Sequence, residues 1–140
     1  MLDLATMDTK SMAEEGALME VTDPRTGDPL KDSDGNKVTI TLAGMDSKRY
    51  QDGQYKIQNK RINQSIRKGR MQATIDAEDL AKENLELLVD CTLSWSGFTW
   101  RGEVLPCTAE NARMLYTQLG WLREQADSFI ADRQNFFRRS

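Results

Sequence analysis

Trp121-Leu-Arg-Glu-Gln-Ala-Asp-Ser-Phe-Ile-Ala-Asp-Arg-Gln-Asn-Phe-Phe137, approached through Trp95-Ser-Gly-Phe-Thr-Trp100 and Leu105-Pro-Cys-Thr108, is the stretch that decides the fold class. All three tryptophans and all four phenylalanines of the 140-residue chain lie between residues 95 and 137. The large rings available for a core or a partner contact therefore belong to the C-terminal third. Leu122, Ala126, Phe129 or Ile130, and Phe136 recur at helical spacing, with Arg123, Glu124, Asp127, Asp132 and Arg133 on other faces. Upstream, Thr108 is an N-cap, and Ala112, Leu115, Tyr116 and Leu119 follow at i, i+3, i+4 and i+7 before Gly120 offers a stop. Two antiparallel helices joined near Gly120 would bury both stripes.

Working back along the chain, Asp76 is placed to cap a helix whose first turn contains Asp79, with Ile75 and Leu80 as a hydrophobic staple. Ala77, Leu80, Ala81, Leu85, Leu88, Thr92 and Trp95 continue its apolar stripe, which predicts a helix ended by Gly97. Residues 98 to 105 read as a short extended excursion turning at Arg101-Gly102. From Asp46 to about Met71 the composition is again helical, and Tyr55, Ile62 and Ile66 share one face. Gly53 and Gly69 weaken that helix.

The N-terminal part is different in kind. Ala17-Leu-Met-Glu-Val-Thr22 and Val38-Thr-Ile-Thr-Leu42 read as strands, and the turn formers between them predict a hairpin with a long polar connection. Residues 1 to 16 form a tail or short amphipathic helix stopped by Gly16. The expectation is one α+β domain, mainly α, over residues 17 to 137: an N-terminal β-hairpin, about three to four amphipathic helices, and a short basic tail at 138 to 140.

Composition bounds the function. With 39% hydrophobic and 29% charged residues and a mean hydropathy of -0.64, the chain reads as a soluble globular protein. No apolar run approaches a membrane span, and Met1-Leu-Asp-Leu-Ala-Thr-Met-Asp lacks the basic start and apolar centre of a signal peptide. A cytoplasmic location is the expectation. The chain contains no histidine, which removes Ser-His-Asp and Cys-His nucleophile pairs, His-containing zinc sites and the commonest general base. Cys91 and Cys107 read as small buried apolar residues rather than a disulfide. Asp32-Ser-Asp-Gly-Asn36 has its glycine in the fourth position, where a calcium loop needs it in the sixth, and reads as a turn. Gly-rich phosphate loops and isolated carboxylate pairs are also lacking, so the expectation is a non-enzyme without cofactor or metal.

Two features remain for binding. Between Lys48 and Arg70 there are eight basic residues against Asp52, giving +7, so the rest of the chain must carry -10 to reach the net charge of -3. Phosphate contacts need such clusters, which keeps nucleic-acid binding open. A solvated face, or docking on an acidic partner or on the protein's own acidic remainder, is favoured by the acidic isoelectric point of about 5.1. The second feature is the aromatic end. Phe129 and Ile130 are consecutive, as are Phe136 and Phe137, so the last helix bears apolar groups over a wider arc than one core-facing stripe needs. Trp95, Trp100, Tyr116, Trp121 and Phe129 read first as filling the single core, and Trp121, Phe129, Ile130, Phe136 and Phe137 are the candidate partner-binding residues.

The order Asn84-Leu-Glu-Leu-Leu88, Trp95-Ser-Gly97, Gly102-Glu-Val-Leu-Pro-Cys-Thr-Ala-Glu-Asn111, Leu115-Tyr116 and Trp121 through Phe136 resembles the small tail assembly chaperones of long-tailed bacteriophages. The strand Val38-Thr-Ile-Thr-Leu-Ala-Gly44 followed by a basic helix also looks like the front half of such proteins. The resemblance covers roughly residues 17 to 137 and contains no catalytic motif. It implies a protein of the infected bacterial cytoplasm that keeps the aggregation-prone tape measure protein soluble and helps tail tube subunits assemble around it; a homo-oligomer is the other expectation, from Phe136 and Phe137 as contacts for a second copy. The alternatives are a virion structural subunit, such as a tail-tube or head-tail connector protein joined by strand addition, and a nucleic-acid-binding protein using residues 48 to 70.

Overall fold

Helix α1 (Thr9–Glu15) begins where the Asp8 carboxylate accepts the Ser11 N–H at 3.1 Å, and it ends at Gly16, whose φ of 83° few other residues adopt cheaply. In the computed structural model, which describes residues 1–68 and 77–137, a 3-10 turn (Leu4–Met7) precedes α1. The fold is α+β and mainly α.

Strands β1 (Ala17–Glu20) and β2 (Thr39–Leu42) pair antiparallel with Met19 opposite Ile40. Their long connection is built from two tight turns. Asp23 receives the Gly27 N–H at 2.7 Å, and the Asp32 carboxylate accepts the N–H groups of Asp34 and Asn36, both at 2.9 Å. Ile40 and Leu42 are wholly buried, as their alternation with threonine predicts.

The pair has a third partner that corrects the sequence reading. Helix α3 (Ala77–Cys91) stops at Cys91, and Thr92 to Trp95 form strand β3 on the far side of β2, so Thr92 and Trp95 belong to a strand and not to the helical stripe. Thr92 marks the change. Its hydroxyl donates to the Leu88 carbonyl at 2.9 Å and accepts from the Tyr116 hydroxyl at 2.8 Å, a side-chain bond that competes with helix propagation. The backbone beyond then satisfies the open edge of β2, and Gly97 falls outside the helix. Asp76 and Ile75, expected at the start of α3, lie outside the described residues. Ala81 is exposed, whereas Leu87, Leu88 and Val89 are all buried.

Helix α2 (Lys48–Lys68) also faces differently from the expected stripe. Tyr55 and Ile62 are 60% and 57% exposed, while Ile57 is buried; the Ile66 side chain lies outside the described residues. The reason is Gly53. A Cβ there would lie 2.3 Å from Leu87 Cδ1, so the glycine lets α3 press against α2 and chooses the inward face.

Thr99–Trp100 (β4) and Glu103–Val104 (β5) form the small expected ribbon, turning through Arg101 and Gly102 with φ of 51° and 88°. Thr108 caps helix α4 (Ala109–Gln118), which buries Ala112, Leu115 and Tyr116. The break before helix α5 (Gly120–Ala131) falls at Leu119, with φ -113° and ψ 81°, so Gly120 starts α5 and does not stop α4. The apolar run does not continue as one helix to Phe136 either. Asp132 leaves helical geometry, its carboxylate accepts the Gln134 N–H at 3.0 Å, and a 3-10 turn (Arg133–Phe136) folds Phe136 back towards Gly44 and Ala13. That turn contacts α1, whose Ala13 is buried, so residues 9 to 15 pack on the rest of the protein.

Candidate partner-binding groove

Helix α5 has two faces. Leu122, Ala126 and Ile130 are buried in the core, whereas Trp121, Gln125, Ser128 and Phe129, at i, i+4, i+7 and i+8, form the adjoining stripe. This second stripe faces a surface groove. One part, about 580 Å³, lies between it and Met19, Glu20 and Pro24; the other, about 470 Å³, is bounded by Ala17, Leu18, Phe129 and Phe137. The two parts share Glu20, Phe129 and Asn135 and form one channel alongside β1.

The groove gathers three of the five residues singled out in the sequence. Trp121, Phe129 and Phe137 are half-buried and line it. Ile130 and Phe136, 4% and 5% exposed, are packed inside, so a partner reaches them only if the protein opens. Adjacent Phe136 and Phe137 face different ways, as their separation by one residue requires. Phe136 stacks edge-on against Phe129 with ring centres 5.5 Å apart, which holds the Phe129 ring at the floor of the groove.

Gln125 is a residue that the sequence reading missed. Its side-chain carbonyl accepts the Thr22 N–H at 3.0 Å, and its amide donates to the Thr22 carbonyl at 2.9 Å. The side chain thus pairs with the backbone as a neighbouring strand would. Backbone bonds of Val21 to Val38 and of Ser96 to Thr39 fix which way each residue points: Ala17, Met19 and Val21 bond towards β2, and Leu18, Glu20 and Thr22 point outwards. No local signal relates residue 22 to residue 125.

The charges of the groove are of one sign. Glu20, Glu124 and Asp132 line it, and among the described residues no lysine or arginine does; the Lys37 ammonium meets Glu20 at 3.0 Å from outside the lining. Leu18 adds an apolar side chain 65% exposed at the rim.

The basic helix has another setting. Lys56 and Lys60 lie in a hollow shared with Glu83, Glu86 and Asp90 of α3. The Lys60 ammonium is 3.1 Å from Glu83, and Arg49 donates to the Asp90 carbonyl at 2.8 Å. Part of the basic cluster therefore docks on the protein's own acidic helix, one of the readings open from sequence. The side chains of Arg61, Arg67, Lys68 and Arg70 lie outside the described residues.

Both cysteines are free thiols. Burial pushes the Cys91 thiol up to about 12, the Arg49 charge opposing weakly, and burial also raises Cys107. Among the described residues no three acidic or cysteine side chains are placed to hold a metal ion, and no helix is long and apolar enough to cross a membrane. Comparison with known proteins brings no match: no family model, curated protein or solved structure aligns with the chain.

Proposed function

We propose that this chain is a non-enzymatic tail assembly chaperone of a long-tailed bacteriophage, which binds the tape measure protein in the host cytoplasm and keeps it soluble during tail assembly. The observation that carries the reading is the double-faced α5: one stripe builds the core, and the next presents Trp121 and Phe129, with Phe137 beyond, along an open groove. Aromatic side chains held half-buried on a rigid helix are suited to anchor a partner segment, since the ring loses little freedom on binding. The order of residues from Asn84 to Phe136 that resembles this family runs through that helix.

The test is co-expression with the large helical protein encoded beside this one. The tape measure protein should become soluble and co-purify, and Phe137→Ala should reduce its recovery while the chaperone stays folded. Recovery unchanged by either Phe137→Ala or Trp121→Ala would sink the reading.

A second reading, a virion structural subunit, draws support from the outward-pointing backbone of Leu18 and Glu20, onto which a strand of another copy could add. Mass spectrometry of finished particles separates the two, since a chaperone leaves and a subunit stays.

A further inference from the structure

Charge and apolar surface coincide in the groove beside β1. Glu124 of α5 and Asp132, the residue that caps its C-terminal end, stand eight residues apart, a separation of about 12 Å at the helical rise. Glu20 lines the groove from β1, and the half-buried rings of Trp121 and Phe129 share the lining with these carboxylates. Such a surface repels acidic segments. It favours lysine or arginine twice, through the carboxylates and through the ring faces, which attract cations.

We propose that the groove takes a segment of the partner in which basic side chains alternate with large apolar ones, the basic groups meeting Glu124 and Asp132, with Glu20 already shared with Lys37, while the apolar groups cover Trp121 and Phe129. The inference deepens the chaperone reading, and rests on the groove being the partner surface. It specifies which part of a client is held. The other strongly charged surface, the α2–α3 seam, does not compete for this role, because Lys60 there meets Glu83, whereas Glu124 and Asp132 of the groove form no ion pair among the described residues.

The probe is a synthetic peptide of about twelve residues, long enough to span Glu124 and Asp132 in extended form, with lysine alternating with leucine and phenylalanine. One control replaces lysine by glutamate, and another replaces the apolar residues by serine. Binding to the full chain is followed by fluorescence anisotropy at low and high salt. The lysine peptide should bind at least about ten times more tightly than either control, and weaken as salt rises. Glu124→Lys and Ser128→Lys, both at exposed positions, should each weaken it about tenfold without moving the melting midpoint. Glu103→Lys, the same charge change on β5 away from the groove, should leave binding within about twofold.

Equal binding of the glutamate peptide, or equal loss from Glu124→Lys and Glu103→Lys, overturns the proposal. So does concentration-dependent self-association abolished by Glu124→Lys, which would assign the groove to a second copy. A tape measure protein that co-purifies undiminished with the Glu124→Lys chain removes this inference and leaves the chaperone reading standing. One that never co-purifies with the unaltered chain, although the lysine peptide binds, removes the chaperone reading alone.

Discussion

The seam between α2 and α3 and the groove between β1 and α5 are both charged and partly apolar, yet they end differently. In the seam, Lys60 meets Glu83, Arg49 meets the Asp90 carbonyl, and Glu86 is gripped through both carboxylate oxygens by Arg113 of α4. In the groove, Glu20, Glu124 and Asp132 share a lining to which no basic residue contributes among those described, and only Glu20 has an ion-pair partner, Lys37, among them. A run of charge in a sequence thus points to a partner only after the chain's own opposite charges have been placed. The basic cluster of residues 48 to 70 is conspicuous in one dimension and partly answered in three; the acidic groove is the reverse.

The largest expected effect strikes the seam's apolar contact. Leu87 is buried and fills the space left by Gly53, so Leu87→Ala should lower unfolding free energy by about 2–5 kcal/mol in denaturant titration. A loss below about 1 kcal/mol would mean that α2 and α3 are held by their charges instead.

Next comes the tie between the two regions. Arg133, in the turn that forms the end of the groove, grips Asp46 just before α2 with bonds of 2.7 and 2.9 Å. Arg133 above all, helped by a Thr9 hydrogen bond and opposed by burial, holds the Asp46 carboxyl below its ordinary 3.8. A depressed folded value gives stability that is complete above the unfolded value and fades as pH falls through the folded one. Asp46→Asn should therefore lower the melting midpoint by about 3 °C near neutrality, and the gap to the unaltered chain should close below about pH 3.8. A gap that persists in acid would show that the carboxylate charge is not what matters.

Smaller still is the seam's ion pair. Lys60 is 57% exposed and Glu83 15%, so Lys60→Glu should cost on the order of 0.5–1 kcal/mol, more at low salt, and Glu83→Lys should restore part of it. The least effect on folding belongs to Phe137→Ala, within about 0.5 kcal/mol, although it removes a ring from the groove. Clear unfolding of that variant would move Phe137 from the groove to the core.

The elements that sequence reading found depend on local chemistry. Thr108 caps its helix, Asp32 folds its turn, Arg101-Gly102 reverses β4 into β5, and Val38, Ile40 and Leu42 alternate in a strand that ends up at the centre of the sheet. The misreadings arose where distant groups decided. Thr92 and Trp95 fit a helical period, but β2 offered them a ladder that no local pattern announces. Tyr55 and Ile62 made a plausible inward face until Gly53, read as a weakness in the helix, proved to be its contact point. The candidate site was half legible. The apolar groups spread round α5 announced two faces, of which Ile130 lies in the core and Trp121 and Phe129 line the groove, whereas Glu20 and Gln125 enter the groove from positions a hundred residues apart.

The Gln125 side chain also sets how far β1 can recruit other chains. An uncovered strand edge is a template on which extended polypeptides stack. With the outward groups of Thr22 already bonded by Gln125, the uncovered edge along β1 shrinks to Leu18 and Glu20, less than about 10 Å of backbone. Two residues are enough to hold a passing segment briefly and too few to seed a fibril.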